Sequence, residues 1–315
     1  MKKLRIVPAV VAIVVLLTAT GIASGQSNAP ARQQLTEFKL GVFPAADYTP
    51  LFVGLKRGIF KKHGLDIKIQ YILTGSGLMA AVTSGQVDAA TNSVPAGATA
   101  IANGLPIKLI TQTSTTPKKG YINVLVKKDS PYKTYADLAG KTVATINLQG
   151  QFHLLLKNAI GADFNAIPMS PADEPAALEA GRLDAIVMQD PTLTLAKQQY
   201  PDFRSLGNPT AKLPFTLPSA GFYSSNDTIS KKPAEVKQFV AALKEAIALS
   251  AKNPSLARRV VPKFTGMTQA TAKLVTLPVF DSRITPGSVG PMLLLMQKYG
   301  WIKNVPAFNS IVWQG

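Results

Sequence analysis

Ser84-Gly85-Gln86-Val87-Asp88-Ala89-Ala90-Thr91-Asn92 and Ala180-Gly181-Arg182-Leu183-Asp184-Ala185-Ile186-Val187-Met188 are two copies of one pattern. Aligned on Gly85 and Gly181, each reads small, Gly, polar, aliphatic, Asp, Ala, and then a strand-like run. A helical segment is expected before each, over Gly77 to Thr83 and over Pro175 to Glu179. The pattern predicts a helix ended by a glycine that can take positive φ. A turn held by the Asp side chain and re-entry into a buried strand follow. One such turn is common in α/β proteins. Two, each running into a polar strand end (Asn92-Ser93 and Gln189-Asp190-Pro191), predict two similar α/β lobes. Ligands of open α/β sheets sit beyond the carboxyl ends of the strands, so these two ends are expected to face each other across a cleft.

A chain of 315 residues suffices for two ordinary domains or one large one. Its apolar fraction of 46% is that of a folded protein and argues against disorder. It contains no Cys, which excludes thiolate metal sites, disulfide frameworks, Cys nucleophiles and a lipid-modified amino-terminal Cys. The two histidines, His63 and His153, have no His or carboxylate at metal-ligand spacing, so neither metal nor cofactor is expected. The formal charge is +17, or about +14 if Lys2, Lys3 and Arg5 leave with a signal peptide. Such a field attracts small anions. Nucleic acid is not expected as a partner, because no Lys/Arg run exceeds two residues and no aromatic-basic ribbon is present.

Residues 1–25 have the parts of a secretory signal: Lys2, Lys3 and Arg5, an apolar stretch from Ile6 to Leu17, and Ala23-x-Gly25 before Gln26. An uncleaved anchor is the alternative, although the apolar run falls short of the ~20 residues that a span needs. Residues 26–35 read as a flexible leader. The fold is expected to start with a strand at Glu37 to Val42. Gly75-Ser76-Gly77 then opens a helix whose free backbone N–H groups can meet an anion, with Gly77 allowing close backbone approach. Tyr121 to Lys127 and Leu217 to Ser224 read as the outward and return crossings between lobes. Thr134 with Asp137 resembles a capping box. Pro233 to Leu249 is amphipathic, with Val236, Phe239, Val240, Leu243 and Ile247 on one face, and is expected to pack back on the first lobe. The alternation of strands and helices predicts an α/β class with largely parallel pairing. The domain boundaries that follow are 36–118 plus 222–315 for lobe 1 and 119–221 for lobe 2.

Four stretches, taken in order, resemble a known family. They are Gly58-Ile59-Phe60-Lys61-Lys62-His63-Gly64-Leu65-Asp66-Ile67, Gly85-Gln86-Val87-Asp88-Ala89, Asp137-Leu138-Ala139-Gly140-Lys141-Thr142-Val143, and Gly181-Arg182-Leu183-Asp184-Ala185 with Asp190-Pro191. The pattern is similar to the nitrate/sulfonate/taurine-type substrate-binding proteins of ABC transporters, a group that includes binders of thiamin-pyrimidine precursors and aromatic acids. The resemblance covers about residues 37–305. It implies a type II periplasmic-binding fold, two α/β lobes joined by two crossing strands and closing like a hinge on one ligand. It also implies an extracytoplasmic, non-catalytic monomer whose partners are a small molecule and the transmembrane subunits of an ABC permease. Ala46, Asp47, Tyr48, Gly75, Ser76, Gly77, Asn92 and Ser93 are carried over as ligand residues of the first lobe. Asn147, Leu148, Gln149, Gln189 and Asp190 are those of the second. Helix-start N–H groups and neutral amides suit a sulfonate, nitrate or carboxylate, and Tyr48 offers an aromatic wall with a hydroxyl. Relatives often have Glu where this chain has Asp190, and Asp47 adds a second carboxylate. Either one acid holds a turn or pairs with a lysine, or the ligand carries an amino or hydroxyl donor, as taurine and aminopyrimidines do. Fungal thiamin-pyrimidine synthases share the fold, but they use a Cys-rich motif that a chain without Cys lacks.

Overall fold

Thr36–Val42 (β1) points Glu37 and Lys39 to solvent and buries Phe38, Leu40 and Val42, the alternation of a strand with one wet face at its start. It is the first strand of a computed structural model that describes residues 34–315. The expected signal peptide over 1–25 and residues 26–33 of the expected leader lie outside the described residues. Ten further strands follow: β2 (Leu65–Tyr71), β3 (Ala89–Ser93), β4 (Ile107–Thr115), β5 (Ile122–Val126) and β6 (Thr142–Thr145) come first. Then come β7 (Asn165–Pro168), β8 (Ala185–Gln189), β9 (Arg204–Gly207), β10 (Pro218–Ser225) and β11 (Val279–Phe280). The helices between them are α1 (Thr49–Lys56), α2 (Ile59–Lys62), α3 (Gly75–Thr83), α4 (Val94–Ala102) and α5 (Gln151–Ile160). After these come α6 (Glu174–Glu179), α7 (Thr192–Gln199), α8 (Asn226–Lys231) and α9 (Pro233–Lys252), with shorter helices beyond.

The strands form two sheets, ordered β11-β4-β10-β3-β1-β2 and β7-β6-β8-β5-β9. Strands β2-β1-β3-β10-β4 of the first correspond place for place to β7-β6-β8-β5-β9 of the second, so the repeat seen in sequence is a repeat of whole sheets. Pairing is mixed, not largely parallel. In the first sheet β10 runs antiparallel to β3 and β4, and in the second β5 runs antiparallel to β8 and β9. The reason is the crossing: β5 and β10 are the strands by which the chain enters each lobe from the other. The crossing segments bind each other through Thr116 N–H to Leu217 O at 3.1 Å and Asn208 Nδ2 to Pro117 O at 2.9 Å.

Both repeated turns end a helix on a left-handed glycine, Gly85 at φ 75° and Gly181 at φ 70°. The Asp that follows does not hold its own turn. Asp88 Oδ2 accepts the Lys39 N–H at 2.8 Å while its own N–H donates to Lys39 O. Asp184 repeats this with Thr142, 2.8 Å in each direction. Each Asp therefore locks β3 or β8 to the strand beside it, fixing the register that carries the polar strand ends to the cleft. At Thr134 only half of a capping box forms: Asp137 Oδ2 accepts the Lys133 and Thr134 N–H groups.

Helix α9 buries all five residues of its expected face. Phe239 stacks on Phe38 with centroids 5.0 Å apart and meets Phe222 edge-on at 5.2 Å. A separate apolar cluster joins the two sheets, drawing Ala90 and Leu109 from the first, Val124 and Val187 from the second, and Ala98 and Leu154 from α4 and α5. No helix among the described residues is long and apolar enough to cross a membrane.

Candidate functional site

The carboxyl ends of β1, β3, β6 and β8 converge on a cavity of about 70 Å³ between the sheets, room for on the order of five water molecules. Its wall from the first lobe includes Phe43, Asp47, Tyr48, Gly75 and the Asn92-Ser93 strand end. The second lobe supplies Ile146, Asn147, Gln151, Phe152 and Gln189. The lining residues include no Lys, Arg or His. Among the described residues no cluster of His, Asp and Glu is placed to hold a metal ion.

Asp47 lies at the base of the cavity in a single 3-10 turn, Ala46–Tyr48, and is 2% exposed. Its carboxylate gathers four donors. Oδ1 accepts from Ser114 Oγ at 2.5 Å and from Ser219 Oγ at 3.0 Å. Oδ2 accepts from Gln189 Nε2 at 3.1 Å and from the Tyr121 hydroxyl. Burial, and next the neighbouring Asp47, push the Tyr121 hydroxyl well above its ordinary pKa, so it stays a neutral donor. A carboxylate has about four acceptor positions, and here all are taken. Because Ser114 and Ser219 belong to the first sheet and its approach while Tyr121 and Gln189 belong to the second lobe, Asp47 clasps the lobes together.

Asp190 is also buried, yet it does not line the cavity. Oδ1 accepts from the Thr194 N–H and hydroxyl at 3.0 and 2.6 Å, and Oδ2 accepts from the Thr276 N–H at 2.7 Å. It caps the start of α7 and ties that turn to the segment before β11. Burial raises its pKa against these hydrogen bonds.

The other expected residues divide by direction. Ala46 is buried beside Asp47 but off the cavity wall. Ser76 and Leu148 line an adjoining open groove with Met79 and Leu105, and Leu148 is half exposed. Gly77 faces neither space: its N–H donates to the Thr74 cap, and a Cβ there would meet Thr74 Oγ1 at 2.7 Å. The close approach expected of Gly77 is made by Gly75, where a Cβ would stand 3.0 Å from Asn147 Nδ2 across the cleft. Gln149 turns away with φ 55°; its N–H donates to His153 Nδ1 at 3.0 Å and its carbonyl accepts from Thr99 Oγ1 at 3.4 Å. His153 packs against Trp301, and burial, then Lys157, lower its pKa to about 4, which keeps Nδ1 free to accept.

Sequence reasoning missed Gln151, Phe43 and Phe152 as parts of the wall. Gln151 is 5% exposed; its Oε1 accepts from Ser219 Oγ at 3.0 Å, while its Nε2 is buried without a partner. Its signal was its position, the first helical residue after the polar run Asn147 to Gly150.

Residues 45–257 match a family model described as NMT1/THI5 like. A Brucella abortus (strain 2308) protein named as a binding protein is 24% identical over 219 residues, 67% of this chain and 66% of that one. The chain thus spans slightly less than two thirds of that relative. The riboflavin-binding protein RibY of Chloroflexus aurantiacus is 26% identical over 276 residues, 81% of this chain and 76% of RibY. Among solved structures, the periplasmic aliphatic sulphonate binding protein SsuA of Escherichia coli superposes with a TM-score of 0.70 at 20% identity, covering 88% of this chain and 92% of SsuA. The periplasmic nitrate-binding protein NrtA of Synechocystis PCC 6803 gives 0.66 at 14% identity, covering 88% and 84%. These likenesses establish the fold, that of two-lobed periplasmic binding proteins.

Proposed function

The chain belongs to the NMT1/THI5-like family, and we propose that it is the solute-binding component of an ABC importer. In this reading it is exported, captures a small sulfonate, nitrate or carboxylate by closing its lobes, and hands the ligand to a membrane permease without chemical change. The observation that carries the reading is the cavity itself. It is walled by both lobes, has the buried Asp47 in its wall, and lies where the polar ends of β3 and β8 meet. Its volume suits a ligand of a few heavy atoms. A flavin of the size that RibY binds does not fit this closed arrangement.

One observation favours a second ligand chemistry. Asp47 is the only carboxylate on the wall and no cation balances it, which favours an amine-bearing solute such as taurine or an aminopyrimidine. A thermal-shift panel of nitrate, alkanesulfonates, taurine, aromatic carboxylates and aminopyrimidines tests both. A ligand at a hundred times its Kd adds about 2.7 kcal/mol, or roughly 4 °C in Tm for a chain of this size. A shift confined to one chemical class is the expected result. No shift with any member would contradict capture of a small solute of these classes.

A further inference from the structure

Resting on the sulfonate or carboxylate reading of the solute, we infer that this solute is an amphiphile. Its oxyanion head occupies the cavity, and its apolar tail leaves beside Gly75 to lie in the groove between α3 and α4. The cavity of about 70 Å³ and that groove, of about 660 Å³, have three wall residues in common: Gly75, Asn92 and Asn147. Where the two spaces meet, the chain thus presents a glycine and two side-chain amides. A Cβ on Gly75 would stand 3.0 Å from Asn147 Nδ2 and 3.5 Å from Asn92 Oδ1, so glycine keeps the junction free of a third side chain. Asn92 is held, since its Oδ1 accepts the Ser93 N–H at 2.8 Å. Asn147 is not. Thr145 Oγ1 donates to its carbonyl at 3.2 Å, and among the described residues nothing bonds its side-chain amide. A turn of that one side chain joins the cavity to the groove.

The groove suits a tail and nothing charged. Met79, Ala96, Ala100 and Leu105 line it from the first lobe, and Leu148, 51% exposed, reaches it from the second. No Lys, Arg, Asp or Glu lines it, and neither α3 nor α4 contains a charged residue. Surface helices ordinarily carry charge on the face turned to water; on α3 the exposed residues are Ser76, Ala80 and Thr83. The lining runs the length of α3, from Gly75 to Ser84, so the groove extends ~13 Å from the cavity along the helix axis. An apolar chain seated there takes Leu148 out of water. Because Leu148 belongs to the second lobe, the tail touches both lobes and favours the closed form. A cavity that admits only a few heavy atoms holds the head, and the groove distinguishes one solute from another by its tail.

The test is titration calorimetry on the full chain with two straight-chain series, ethanesulfonate to octanesulfonate and propionate to octanoate. Within a series that binds, affinity is expected to rise about two- to fourfold per added methylene. Leu148→Ser and Ala80→Gln, both at exposed positions, should each lower the ratio between the longest and shortest members by about three- to tenfold. Unfolding melts confirm that the variants are folded; the wild-type series stands whether or not they are. Affinity that does not change with chain length, in a protein that binds ethanesulfonate or propionate, would overturn the inference and leave the solute-binding reading standing. So would a rise with length that is the same in both folded variants, since the tail would then lie elsewhere. Binding of no member of either series would contradict the sulfonate or carboxylate reading and the inference together.

Discussion

Among the described residues Glu174 combines full burial with a carboxyl group that lacks any partner. It lies in the second lobe at the start of α6. Burial raises its pKa well above the ordinary 4.5. The sign of its effect on stability follows from linkage. Above about pH 4.5 the unfolded chain releases this proton while the folded chain keeps it, so the folded state loses ground as pH rises. The slope from this one group is about 1.4 kcal/mol per pH unit at most. His153 works the other way: with its folded pKa near 4, it costs stability as pH falls from about 6.5 toward 4. The two are separated by substitution. Glu174→Gln should flatten the decline above pH 4.5 in urea unfolding at a series of pH values, leaving the fall at lower pH in place. An unchanged pH profile in Glu174→Gln would mean that the carboxyl is not held neutral.

Helix starts decide how closely the lobes meet. At α3 the cap is Thr74, the spacing that frees it is Gly77, and the residue facing the opposite lobe is Gly75. Gly75→Leu should therefore lower ligand affinity by tenfold or more, because its side chain meets Asn147 of the opposite lobe. Gly77→Leu, whose Cβ meets Thr74 Oγ1, should instead cost about 1 kcal/mol of stability through the cap. Calorimetry and melting of both variants check the split; equal loss of affinity in the two would contradict it. What could be read from sequence follows the same lines. The paired helix–Gly–strand units were legible because glycine and the strand pattern act locally. So were the strand ends, Asn92, Ser93 and Gln189, which do lie on the cavity wall. Strands β5 and β10 were read as the crossings between lobes, but their antiparallel insertion was not legible, since nothing local marks which strands a crossing strand will pair with. Nor was the use of Asp47, whose four donors come from Ser114, Tyr121, Gln189 and Ser219, all distant in sequence. In the loop from Asn147 to Gln151, neighbouring residues point to the cavity, the outer groove and His153, and loop sequence carries no period from which to read direction.

At the scale of the molecule, two sheets of matching order are joined by two crossing segments that bind each other, and a shared apolar cluster and the Asp47 clasp hold the lobes closed. The contacts outside the cavity, Thr99 to Gln149 and His153 against Trp301, are further links between the lobes in this closed arrangement. The ligand's share of closure is what it adds by touching wall residues of both lobes at once. Lobe motion about short crossings is a hinge motion, and a ligand drives it only to the extent that it binds the closed form better than the open one. Small-angle X-ray scattering of the full chain, without and with a saturating solute that raises Tm in the panel, measures this directly. Closure on the solute predicts a smaller radius of gyration and a shorter maximum dimension in its presence. A scattering profile that does not change at saturation would contradict capture by closing lobes.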